Sequence, residues 1–95
     1  MKKLQSRQPV NLISFNENDY GKYILVKYES YMDNGNSEWI HIGRINGKHS
    51  YEICKTISDT TSTNISINYA SSHANVSFRD EVWLLSSNEA MVKLL

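Results

Sequence analysis

Apolar positions along the chain recur with a period of two rather than three to four, and the recurrence is broken by polar clusters. Residues 22–31 read as a strand rich in aromatic and β-branched side chains. Asn34-Gly35 and Asn46-Gly47 follow, and each pair tolerates the positive φ that tight hairpins require. Between them Glu38 to Ile45 reads as a second strand, and Lys48 to Ile57 as a third. The middle of the chain is therefore expected to be a three-stranded meander.

Weaker signals flank it. Residues 1–9 are polar and read as a loose segment ending at Pro9, with the domain over 10–95. Val10 to Phe15 reads as a short strand, and Asn16 to Gly21 as a turn. Thr56 to Asn64 lacks an apolar period and reads as a loop. Ile65, Ile67 and Tyr69 alternate on one side of a further strand, Ser71 to Asn75 is a turn, and Val76 to Leu85 is a last strand interrupted at Asp80-Glu81. Ser86 and Glu89 have capping-box spacing, so a short helix over Asn88–Leu95 is expected to lay Met91, Leu94 and Leu95 on the sheet. The fold class is mainly β: one small antiparallel sheet domain of five or six strands, curled or two-layered, with a short C-terminal helix.

Burial suggests a register. A two-residue turn at Asn46-Gly47 sets Ile42 opposite Tyr51 and Ile40 opposite Ile53. A three-residue loop over Asn34–Asn36 sets Tyr28 opposite Ile42 and gathers Val26, Tyr28, Ile40, Ile42, Tyr51 and Ile53 on one face. The other face then carries Glu29, His41 and Glu52 in one row, and Tyr31, Trp39 and Cys54 in the next. A histidine between two carboxylates is expected to titrate above its ordinary value. The row is either an acid/base site or an exposed charge ladder, and the ladder is the commoner arrangement. Tyr31 and Trp39, near the Asn34-Gly35 turn, are the aromatic types that anchor interfaces.

Charge and composition narrow the function. The 95 residues carry ten Lys+Arg against ten Asp+Glu, and that balance argues against a protein gripping nucleic-acid phosphates. The single cysteine, Cys54, excludes an internal disulfide, and no segment has the apolar length of a membrane-spanning helix. A cytoplasmic location is expected. No phosphate loop, zinc spacing or nucleophile elbow occurs, so no cofactor, metal or catalytic residue is assigned.

The expectation is a non-enzymatic interaction protein that binds and blocks a partner protein, in the manner of small phage- or plasmid-borne inhibitors and immunity proteins. The partner would be a host enzyme or a defence or toxin component. The binding residues assigned are Glu29, Tyr31, Asn34, Trp39, His41 and Glu52, and free sheet edges leave room for a homodimer. The alternatives are a small-ligand or nucleotide-sequestering module and a single-strand nucleic-acid binder.

Overall fold

The computed structural model describes residues 1–7, 12–31, 36–58, 66–67 and 72–95. It is mainly β, a single antiparallel sheet with one short C-terminal helix. The strands are β1 (Lys2–Gln5), β2 (Tyr23–Tyr31), β3 (Asn36–Ile45), β4 (Ser50–Ser58), β5 (Ser66–Ile67), β6 (Ser72–Asn75) and β7 (Glu81–Leu84), followed by helix α1 (Ser87–Leu94). The sheet order is β1-β7-β2-β3-β4-β5, with β6 also paired to β4. β6 takes the Ser50–Ile53 half of that strand and β5 takes Thr56–Ile57.

The meander forms as expected, but both of its registers differ. Tyr28 pairs with Trp39, not with Ile42, and Ile42 pairs with Leu25. Ile45 pairs with Tyr51 and Ile40 with Ile57, across an irregularity between Ile42 and Gly43 that leaves Cys54 out of the ladder. The first hairpin is three positions out of the expected register, and the second is three out near its turn and four beyond the irregularity; an odd slip exchanges the two faces.

Turn geometry and burial explain the slip. Gly47 does not take a positive φ; among the described glycines only Gly21 does, at 91°. The second hairpin closes instead between Asn46 and Ser50, through Asn46 N–H to Ser50 O at 3.2 Å and Ser50 Oγ to Asn46 Oδ1 at 2.7 Å. That longer corner brings Ile45 against Tyr51. Ile24, Val26, Ile42 and Ile45 are then almost completely buried, each worth about 1.5–3 kcal/mol. Cross-strand pair preferences of about 0.2–1 kcal/mol cannot compete.

Both sheet faces are covered. On one, Ile24, Val26, Ile45, Tyr51, Ile53 and Val82 pack with Phe15 and Val76 from connecting segments. On the other, Leu25 and Ile42 pack beneath Leu85 and Ala90, with Tyr23, Ile40, Trp83 and Leu94 around them. We call these the cleft face and the helix face. The run Tyr23-Ile24-Leu25-Val26 has no polar alternation because β2 is buried on both sides.

The flanks hold further differences. Lys2–Gln5 is not loose but forms β1 on β7. Val10 to Phe15 makes no strand over its described residues 12–15; Phe15 is nevertheless buried, its N–H bonded to Lys48 O at 2.8 Å. Ser72–Asn75 is β6 rather than a turn. The expected positions of Ile65 and Tyr69 lie outside the described residues. The capping box of Ser86 and Glu89 is present, but α1 turns Ala90 and Leu94 inward, leaving Met91 and Leu95 exposed. No described helix is long and apolar enough to cross a membrane.

Candidate binding cleft

The chemistry gathers where β2, β3 and β4 meet the segment between β6 and β7. A cavity of about 410 Å³ opens there, lined by Tyr28, His41, Tyr51, Asn75, Arg79 and Asp80 among others. Val26 pairs with His41 and Tyr28 with Trp39, so these side chains share the cleft face. Tyr51 enters from β4, paired with Ile45 and with its ring lying over Gly43.

His41 is the polar centre. Its Nδ1 lies 2.7 Å from the Tyr51 hydroxyl, and the Tyr28 ring is tilted against the imidazole with centroids 4.4 Å apart. Burial removes the water that would stabilise imidazolium, and the pKa falls to about 4. Burial, reinforced by Asp80 and Tyr28, pushes the Tyr51 phenol far above its ordinary value. The pair is therefore neutral at pH 7 and holds its hydrogen bond out of water.

The opposite wall is a turn that the N-terminal strand holds in place. Ser77 N–H donates to Asp80 Oδ2 at 2.9 Å, and Asp80 N–H donates to Ser77 O at 3.0 Å. Gln5, 7% exposed, reaches in from β1. Its Nε2 donates to both Ser77 O and Asp80 O at 2.8 Å, and its Oε1 accepts from Ile13 N–H at 2.8 Å. One amide thus ties three segments together. The clamped turn projects Phe78, 47% exposed, with the Arg79 guanidinium 5.8 Å from its ring. Asp80 is buried, which raises its carboxyl pKa against the opposing Ser77 N–H bond and the Arg7 charge.

Gln5→Ala tests the clamp. Loss of three bonds, one buried and two partly buried, is expected to destabilise the fold by about 1–2 kcal/mol. It should also speed amide exchange at residues 77–80 more than in β3. Uniform acceleration would show that Gln5 supports the whole sheet rather than the turn.

Of the six residues assigned from sequence, Glu29 and His41 line this cavity together, but not in the expected row. The Glu29–His41–Glu52 row is absent, because Glu29 pairs with Glu38 and Glu52 with Arg44, whereas His41 pairs with Val26 and Thr56. The expected rise of the His41 pKa is accordingly reversed. Glu29 lies at the cleft rim, its carboxylate 2.9 Å from Arg7 Nη1. Arg7 also pairs with Glu38 at 3.0 Å and lies 3.6 Å from Glu81, forming a charge belt with Lys27 and Lys3. Lys27, then Arg7, holds the Glu38 carboxyl below its usual range.

Trp39 shares the cleft face with His41, but it faces Tyr28 and Ser58 rather than Tyr31 and Cys54. The Tyr31 side chain and all of Asn34 lie outside the described residues. Cys54 sits half-buried at the β4 irregularity, where burial pushes its thiol pKa up.

Sequence reasoning missed Gln5, Arg79 and Asp80 as parts of one site. Asp80-Glu81 read as an interruption of the last strand, but nothing local marked Gln5, because its partners Ser77 and Asp80 lie more than 70 positions away. Among the described residues no group of three His, Cys, Asp or Glu is placed to hold a metal. A larger cavity of about 560 Å³ lies between Met1, Tyr23 and Ser86. Three of its lining residues are already matched: the Met1 ammonium is 3.0 Å from Glu89, and Ser86 and Glu89 cap α1.

Comparison with known proteins found no matching family model, no matching curated protein and no matching solved structure.

Proposed function

We propose that this protein is a non-enzymatic interaction protein that binds and blocks a partner protein through the cleft and its rim. One observation carries the reading: Phe78 and Arg79 stand exposed on a turn that Gln5 clamps by two hydrogen bonds, and Arg79 lines the cavity beside it. Phenylalanine and arginine are enriched where interfaces bury their cores, and a clamped turn loses little freedom on binding. The His41–Tyr51 pair supports a recognition role rather than a catalytic one. A histidine with a pKa near 4 is a poor general base at neutral pH.

Affinity capture from the native host tests this. The wild type is expected to retain one protein at a fixed ratio, and Phe78→Ala to weaken that retention about 30-fold, as loss of an interface anchor does. Equal retention by Phe78→Ala, or retention of no protein at a fixed ratio, would contradict it.

The cavity favours a second reading. Its volume of about 410 Å³ lies in the range of small-molecule sites, so a ligand-sequestering module would use the same residues. That reading expects an absorbing small molecule to co-purify with the protein and capture to be indifferent to Phe78→Ala.

A further inference from the structure

We propose that the cleft is a receptor for an organic cation, and that the partner fills it with an arginine or lysine side chain held by Asp80 beside Tyr28. This rests on the partner-binding reading and adds the chemistry of the group that enters.

Asp80 carries the inference. It is 7% exposed and lines the cavity. Its described hydrogen bonds are local, from Ser77 N–H to the carboxylate and from Gln5 to the backbone carbonyl. No ion pair reaches it among the described residues. Buried carboxylates are rare without a cationic partner, because the desolvated charge is costly.

The nearby cations do not bond Asp80, although the Arg7 charge acts on it from a distance. Arg7 bonds Glu29 and Glu38, and the Arg79 guanidinium lies over Phe78. An incoming cation would add a direct ion pair to the distant influence of Arg7. Its positive charge would also offset the desolvation that raises the Asp80 pKa.

The other lining groups suit the same occupant. The half-buried Tyr28 offers an aromatic surface, on which guanidinium and ammonium groups are held by the ring quadrupole. The His41–Tyr51 pair adds polar atoms without charge, since His41 is neutral at pH 7. The cavity therefore has one buried carboxylate and aromatic walls. Arg79 is the competing cation at its edge, and its role discriminates between occupants.

The test uses the full chain and two probes of nearly equal shape. Backbone amides are followed by NMR during titration with N-acetyl-arginine methylamide and with its neutral citrulline counterpart. The arginine probe is expected to shift residues 77–80 and His41 saturably, and the citrulline probe to bind at least about tenfold more weakly. Asp80→Asn keeps an acceptor for Ser77 N–H and is expected to remove the difference between probes. Tyr28→Leu is expected to weaken the arginine probe several-fold, and Arg79→Ala, which removes the competing cation at the edge of the cavity, to tighten it.

Equal binding of the two probes, or no saturable shift in a folded wild type, would overturn the proposal. So would loss of binding in Arg79→Ala together with saturable shifts from inorganic phosphate, which would make the occupant an anion. The partner-binding reading is tested separately by Phe78→Ala capture. A cation site that saturates while capture is insensitive to Phe78 would leave a ligand module in its place.

Discussion

Acidification from pH 7 to pH 4 is expected to remove up to about 3 kcal/mol of folding stability through His41 alone. The ordinary value of 6.5 applies in the unfolded chain, and burial lowers the folded value to about 4. The folded state therefore binds fewer protons than the unfolded state between these values, and stability falls as pH falls. The contribution is fully present above 6.5, declines through the window and is lost below about 4. Each unit of difference is worth about 1.4 kcal/mol.

Asp80 acts with the opposite sign. Its raised carboxyl pKa favours the folded state when protonated, so it offsets part of the loss at the acid end. Denaturant titration at several pH values should show the decline in Asp80→Asn at full size. His41→Gln, which retains a polar group beside Tyr51, should flatten it. An unchanged slope in His41→Gln would assign the acid sensitivity to other groups.

Gly43→Ala is expected to destabilise by about 2–3 kcal/mol, the upper part of the range for inserting atoms into a packed interior. Tyr51 packs its ring over the space a Cβ would occupy, and the Glu52 carbonyl closes it from the backbone side. Neither neighbour yields readily. The ring is buried and tied to His41, and the carbonyl belongs to the sheet. Such displacement should also weaken the Tyr51–His41 bond and raise the His41 pKa toward its ordinary value. A stability change within about 0.5 kcal/mol, the usual scale for surface positions, would mean that Tyr51 does not lie across Gly43.

The strands of the meander were legible because their signals are local. Alternating apolar residues, β-branched enrichment and Asn-Gly pairs identify β2, β3 and β4 within a few residues. The capping box of α1 is equally local. Register was not legible, because Asn-Gly suggests a tight turn without excluding a wider one. The Asn46–Ser50 closure depends on a side-chain bond that no pattern reveals. An odd slip then carried His41 from the face of Glu29 and Glu52 to the face of Tyr28 and Tyr51.

The helix shows the same limit on a smaller scale. Its start was readable, but whether Met91 or Ala90 faced the sheet depended on the path from β7, which Leu85 N–H fixes by bonding Tyr23 O at 3.0 Å. The cleft was the least legible feature. It joins Gln5, His41, Tyr51 and Asp80 from four separate segments, and only their convergence in the folded chain makes them one site.

Direct titration of the His41 ring protons by NMR is the measurement closest to the core of this description, that the two hairpins turn Tyr28, His41 and Tyr51 inward together. A midpoint near 4 is expected, with slowed exchange of the proton shared with Tyr51. A midpoint at or above 6.5, the ordinary histidine value, would put the imidazole back in water beside carboxylates and contradict the cleft.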